Sequence, residues 1–194
     1  MDESLWAART EDLLSKTSSA SPTPGGGAIS AVVGAFGVGL LQMAAAISQR
    51  SEPLYDLQAR LSVLQEQIVQ AADQDARDFS SLMAAYRQPV DDEATRRSRD
   101  ESIELASITA TEGPLSLVAN LVEALDLSLE LEPLVKKSVL SDVFAGRDII
   151  HGAARAAIHT ADINLDQLVR LESPVASQLR SRRDKFVLAV EKAV

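Results

Sequence analysis

Apolar residues recur at intervals of three and four along nearly the whole chain, and no stretch keeps the strict alternation of a half-buried strand. Read with the turn signals, the pattern predicts a first amphipathic helix over residues 4–16. A Ser/Thr/Pro/Gly-rich loop follows over 17–27, then an apolar helix over 28–50. Pro53 suits the first turn of a third helix that runs to about Tyr86, where Gln88-Pro89 ends it. A fourth helix opens on Asp91-Asp92-Glu93, acids placed where the helix dipole favours them. Gly113-Pro114 should kink or break it before Leu127. A short helix is expected over 132–139, and Ser141 or Asp142 should cap the next, which ends near Thr160. Asn164-Leu165-Asp166 reads as a turn or restart, and Ser173-Pro174 as the start of the last helix. The fold class is therefore all-α: a bundle of long, roughly antiparallel helices, with residues 1–194 in a single domain.

The second helix changes the picture most. Residues 17–49 carry no charge, and residues 28–47 are long enough to cross a bilayer. Yet Ser30, Gln42 and three glycines interrupt the run, and it opens on a Pro-Gly turn. The expectation is a buried helix of a bundle and no membrane partner. Its small face, Gly27, Ser30, Gly34, Gly37 and Leu41, suggests close contact with a neighbouring helix.

Ala, Leu and Val dominate the apolar set, which suits helices packed closely together. A formal net charge of −9 with no basic stripe argues against nucleic acid as a partner. The same field would not draw an anionic ligand in, so any such ligand needs locally placed cations or backbone N–H groups. With no cysteine there are no disulfides, thiolate nucleophiles or Cys-ligated zinc. The N-terminus lacks a basic region leading into an apolar run, so no secretory leader is expected and the location is read as cytoplasmic.

Candidate chemistry comes from a misfit in the third helix. Leu54, Leu61, Ile68, Asp75 and Leu82 share one heptad position, and Leu57, Leu64, Ala71, Asp78 and Ala85 the other. Asp75 and Asp78 thus fall on the face meant for packing, while Asp73 should face outward. A buried carboxylate must be paired, hydrogen-bonded or protonated, and burial raises its pKa. Asp75 is accordingly a proton-shuttling candidate; the structural alternative is a carboxylate that bonds a neighbouring helix end or an arginine. A second candidate is the turn Pro24-Gly25-Gly26-Gly27, where absent side chains and a helix N-terminus could receive a carboxylate or a polar heterocycle edge. A plain tight connection is the alternative there. His151 and His159 are too far apart for a His-x-x-x-His metal pair and read as ordinary helix residues, so no metal is expected. Arg96, Arg97 and Arg99 lie among acids and read as a solvated face.

The segment Ser19-Ala20-Ser21-Pro22-Thr23-Pro24-Gly25-Gly26-Gly27-Ala28 resembles the signature of the formimidoyltetrahydrofolate cyclodeaminase family, which includes stand-alone methenyltetrahydrofolate cyclohydrolases. The likeness continues in Asp73-Gln74-Asp75-Ala76-Arg77-Asp78-Phe79, similar to the family's Asp-x-Asp-Ala-x-x-Phe, then in Ser141-Asp142 and in Asn164-Leu165. The chain departs from the family at Val135-Lys136, where Gly-Asn is usual. It departs again at Arg50-Ser51-Glu52, where a basic cluster is usual, and at Thr160-Ala161, where Asn-Val is usual.

The resemblance implies a one-carbon enzyme of tetrahydrofolate, with no metal and no coenzyme beyond the folate. It would either cyclise the formimidoyl form with loss of ammonia or add water to the methenyl bridge. Asp75 would shuttle the proton and Asp142 would stabilise the cationic carbon. Pro24, Gly25, Gly26, Gly27, Arg50, Asp78 and Asn164 would hold the substrate. Lys136, Lys137 and Arg147, with Arg50, lie near matched motifs and are the candidates for meeting an anionic tail. A homodimer is implied too. The alternative is a catalytically inactive folate-binding or structural helical homologue.

Overall fold

The computed structural model describes residues 4–48 and 52–193. Among these, every regular element is a helix. A short 3-10 turn, Leu5–Ala7, precedes α1 (Thr10–Thr17), α2 (Gly26–Ser48), α3 (Glu52–Tyr86) and α4 (Glu93–Leu131). Two further 3-10 turns, Glu132–Leu134 and Lys137–Val139, lead into α5 (Leu140–Arg170), and α6 (Ala176–Lys192) closes the chain.

The first predicted helix is thus divided. Leu5 N–H donates to Asp73 Oδ1 (2.8 Å) and Trp6 Nε1 to the Val69 carbonyl (2.9 Å), tertiary bonds that hold the opening turn against α3. Asp73, expected to face solvent, is therefore half-buried under this segment. Ser141 and Asp142 do not cap α5: the N-cap is Val139, without a side-chain cap bond, and Asp142 lies in the first turn. Nor does Pro174 open a helix, since α6 starts at Ala176 and Ser173 instead donates to Glu104 Oε1 (2.6 Å).

Helices α2 to α5 form an up-down-up-down bundle, α2 and α4 on one diagonal, each packed between α3 and α5. Gln65 reaches the Ala35 carbonyl from α3, and Arg147 of α5 reaches Ser128 of α4, so neighbours run antiparallel. The α3 heptads are buried as the spacing predicts, with Leu54, Leu57, Leu61, Leu64 and Ile68 all inside. Helix α6 packs across α4 and α5, and Arg183 holds Asp162 through two bonds of 2.7 and 2.8 Å.

Gly113-Pro114 does not end α4, which runs unbroken for 39 residues. A proline leaves the carbonyl four residues earlier without its N–H partner. Here that carbonyl, Ala110, accepts from Asn164 Nδ2 at 2.7 Å, so the fourth and fifth helices supply the missing bond between them. Asn164 consequently lies inside a continuous α5 and not in a turn.

Helix α2 is long and apolar enough to cross a membrane by length and composition, yet 61% of its most apolar window is buried inside the bundle. Its small face meets α5 at close range. A Cβ built on Gly37 would lie 2.7 Å from Ile150 Cγ1, and one on Gly146 would lie 2.8 Å from the Gly37 carbonyl oxygen. The opposite face of α2 is not covered: Val33, Phe36, Met43 and Ile47 are exposed. The expectation of a buried bundle helix holds for the faces towards α3 and α5 and not for this one.

Position matters as much as packing. Helix α2 starts opposite Asp75, while α3 continues to Tyr86 and α5 to Arg170. Below that level a bundle of four main helices loses one member, and a separate small core of Leu82, Ala85, Ile103 and Ala110 takes over. The step leaves a hollow beneath the N-terminus of α2.

Substituting alanine should read the close contact directly. Gly146→Ala should cost about 1–3 kcal/mol by overpacking against backbone. Gly152→Ala, on the same helix with nothing within 4 Å of an added Cβ, should stabilise by about 0.5–1 kcal/mol through helix propensity. Denaturant unfolding of both variants against the parent checks the sign of each.

Candidate active site

The loop over 18–25 contains a cis Thr23–Pro24 bond and ends on Gly25, with Gly26 and Gly27 opening α2. The Gly25 carbonyl accepts from Ile29 N–H (3.0 Å), the first helical bond, and Ser30 Oγ donates to the Gly26 carbonyl (2.6 Å). The N–H groups before Ile29 have no helical acceptor and need partners from outside the helix. One comes from α3: Asp75 Oδ2 accepts from Ala28 N–H at 2.8 Å.

That approach depends on Gly27. A Cβ there would sit 2.0 Å from Asp75 Oδ1 and 2.6 Å from its carboxyl carbon. The carboxylate therefore occupies the space a side chain would fill. The structural alternative weighed for Asp75, a carboxylate bonding a neighbouring helix end, is realised. It also means that part of the anion-receiving N-terminus of α2 is already taken by the protein's own acid.

Asp75 is nonetheless not walled in. It is half-buried and lines two clefts that meet along Gly27, Asp75, Asp78 and Pro114. The first, about 370 Å³, is polar along α3, with Gln67, Gln70, Gln74 and Arg77, and is closed by Asn120 of α4. The second, about 430 Å³, occupies the hollow beneath α2. Phe79, Leu82 and Ile163 give it apolar walls, and Gly25 and Gly26 form its upper edge.

Asp78, one turn beyond Asp75, is buried, with 8% of its surface exposed. Gln74 Nε2 donates to its Oδ1 at 2.7 Å. Burial pushes both carboxyls above their ordinary value. For Asp75 the Ala28 N–H pulls back towards the charged form, and the nearby charge of Asp78 adds to the rise. For Asp78 the Gln74 donor and the Arg77 guanidinium pull back. Two adjacent carboxyls whose pKa is raised, at the junction of two clefts, are suited to taking up and returning a proton.

The remaining residues expected at the site divide clearly. Pro24 is buried and lines a polar groove on the outer side of α3, and Gly25, Gly26 and Gly27 border the apolar cleft. Asn164 lines that cleft as well, its Nδ2 committed to Ala110. Arg50 lies outside the described residues. Asp142 is not brought to the site: it lies in the first turn of α5, roughly 27 Å along that helix from Thr160, which faces Gly26. Lys136 bonds the Ile47 carbonyl and Arg147 pairs with Glu132, both at that same far end.

Sequence reasoning gives Gln74 and Arg77 no role and reads His159 as an ordinary helix residue, yet all three line the clefts. Gln67, Gln70, Gln74 and Arg77 follow one another at intervals of three or four, a polar stripe beside the acidic pair, and that spacing was the available signal. His159 is an exposed residue of the α5 wall beside Thr160; nothing in its flanking sequence marks it.

The chain matches the family described as formiminotransferase-cyclodeaminase over residues 9–185. It is 27% identical over 162 residues to a methenyltetrahydrofolate cyclohydrolase of Methylorubrum extorquens, covering 80% of this chain and 76% of that protein. Its fold matches the crystal structure of formiminotetrahydrofolate cyclodeaminase from Thermotoga maritima with a TM-score of 0.75, covering 97% of this chain and 96% of that one. At 17% identity the second likeness is one of fold.

The raised carboxyl of Asp75 fixes the sign of a stability effect. A folded-state value above the unfolded one means the folded chain holds the proton longer, so stability is lost as pH rises from the ordinary value, about 4, through the raised one. Asp75→Asn keeps an acceptor for Ala28 N–H but cannot ionise. The variant should therefore gain on the parent in melting temperature as pH rises through that window, and show no gain below about pH 4. Parallel melting curves that never converge at low pH would contradict this.

Proposed function

Because the chain belongs to the formiminotransferase-cyclodeaminase family, we propose that it acts on the one-carbon unit carried between N5 and N10 of tetrahydrofolate, hydrolysing the 5,10-methenyl form to 10-formyltetrahydrofolate. One observation carries the reading: two carboxyls with raised pKa stand where an apolar cleft meets a polar one. A folate has the same order of parts, a flat ring, then the reacting carbon, then a polar tail. The ring would lie against Phe79, Leu82 and the glycine turn, the one-carbon unit beside Asp75 and Asp78, and the tail along the glutamines of α3.

In this reading Asp75 in its ionised form takes a proton from water as the water oxygen bonds to the methenyl carbon. The cationic bridge becomes a neutral tetrahedral carbon, and Asp78 balances the positive charge before attack, the role first expected of Asp142. The Asp75 proton then passes to N5 as the C–N5 bond breaks, and the hydroxyl proton of the tetrahedral carbon leaves to solvent, so that a neutral formyl group remains on N10. A carboxyl with raised pKa serves both transfers. The step uses no metal and no coenzyme beyond the folate.

A second reading has support of its own in the name of the Thermotoga maritima neighbour. In cyclodeamination N10 attacks the formimidoyl carbon on N5 and ammonia leaves, with the same acid giving a proton to the departing nitrogen. The reaction would take place in the cytoplasm.

The uncovered face of α2 completes the proposal. Ile29, Val33, Phe36, Leu40, Met43 and Ile47 follow at intervals of four and three, the spacing of a helix–helix seam. Phe36 is 64% exposed, touched on its edge by the Trp6 ring. A homodimer joined along this stripe would bury it.

Loss of methenyltetrahydrofolate absorbance with purified protein tests the chemistry, and release of ammonia from the formimidoyl form separates the two reactions. Asp75→Asn should lower kcat by at least about a hundredfold, the usual scale for a positioned acid–base group, with helical content unchanged; undiminished turnover would remove Asp75 from the mechanism. For the dimer, light scattering should give twice the chain mass at micromolar protein and the single mass for Phe36→Asp. A parent protein that scatters as a monomer would sink that assignment.

A further inference from the structure

The polar cleft carries a cation that makes no direct ion pair with either carboxyl. Arg77 stands on α3 between Asp75 and Asp78, at a position the family pattern leaves open. Its Nε and Nη2 both donate to Gln74 Oε1, at 3.2 and 2.8 Å. The same amide turns its nitrogen to Asp78 Oδ1 at 2.7 Å. Gln74 is thus fixed in one orientation by a cation on one side and a buried acid on the other.

No carboxylate lies within ion-pair distance of Arg77 among the described residues. Other arginines are spent: Arg60 on Glu130, Arg147 on Glu132 and Arg183 on Asp162. Arg77 alone of these keeps donors unused at the rim of the site. It lines the 370 Å³ cleft beside Asp75 and also the polar groove outside α3, where Lys16 stands on the opposite wall. Among the described residues the one acid in that groove, Asp73, is engaged by Leu5 N–H. In a chain of net charge −9, this is where local cations can offset the overall field for an anion.

We propose that Arg77 receives a carboxylate of the substrate's glutamate tail at the rim of the polar cleft, and that Gln74 is the positioning residue that aims its guanidinium. The inference rests on the folate reading above and deepens it. The reacting carbon then lies at Asp75, and the tail runs out through the polar cleft to the guanidinium of Arg77 at its rim, with Lys16 placed to meet a second carboxylate.

The test compares two substrates, 5,10-methenyltetrahydrofolate and the corresponding methenyltetrahydropteroate, which lacks the glutamate. The readout is the ratio of their kcat/KM values, in which any damage to the shared chemistry cancels. The parent should favour the glutamate-bearing substrate by about ten- to a hundredfold, the worth of a charge-assisted hydrogen bond. Arg77→Gln should bring the ratio close to one, chiefly through KM, and Arg77→Lys should keep part of the preference as a point charge. Gln74→Glu retains Arg77 but puts a carboxylate against its guanidinium, and it too should abolish the preference. A parent ratio of one, or a ratio that survives Arg77→Gln, overturns the proposal while leaving the folate reading intact. A parent protein that turns over neither one-carbon folate overturns both.

Discussion

A single hydrogen bond between two helices organises this molecule: Ala28 N–H at the start of α2 to the carboxylate of Asp75 in the middle of α3. It sets the level at which α2 stops, and so the height of the hollow beneath it. It also explains the glycine at position 27, because any Cβ there would coincide with the carboxylate. The loop with its glycines and the acid on the packing face, which look like separate signals in the sequence, are two halves of one contact.

That contact places opposing demands on one side chain. As a cap, Asp75 should be ionised, since a charged acceptor bonds an N–H at a helix N-terminus best. Burial and the neighbouring Asp78 press the other way, and together they hold its carboxyl above the ordinary value. Raising the pKa of the acid makes it a better proton acceptor when ionised than an ordinary carboxylate, and that is a property proton transfer uses. Had Asp75 been fully exposed it would be a plain cap. With full burial and no donor it would stay protonated. Its position at the meeting of two clefts keeps it between these limits.

Much of this was legible in the chain. The helical spacing and the turn residues define the bundle, and the heptad misfit at Asp75 and Asp78 marks the site without reference to any relative. What stayed hidden depended on which helices lie side by side. Asp142 looked like a site residue because it sits in a matched motif, but α5 is continuous from Leu140 to Arg170 and carries Asp142 to the opposite end of the bundle. Lys136 and Arg147 are carried to the same far end of the bundle, and Arg77 stands on a stripe whose other members are neutral glutamines. Distance along a helix is easily underestimated when motifs are counted in residues.

The proline at 114 shows how local rules yield to an arrangement of this kind. Taken alone, Gly113-Pro114 is a helix break, worth about 3 kcal/mol against continuation. The cost comes from one unpaired carbonyl and one crowded turn, and the first part is removed by Asn164, whose amide reaches Ala110 from the adjacent helix. The exchange has a consequence for the site. With Nδ2 fixed on Ala110, the amide of Asn164 cannot rotate, and its Oδ1, which has no partner among the described residues, is held as a pure acceptor in the wall of the apolar cleft. A proline that would ordinarily weaken α4 thus orients a polar side chain in the lining of the cleft that also holds the two carboxyls, and the sequence positions that look least helical, the glycine turn and Pro114, are the ones that line the candidate site.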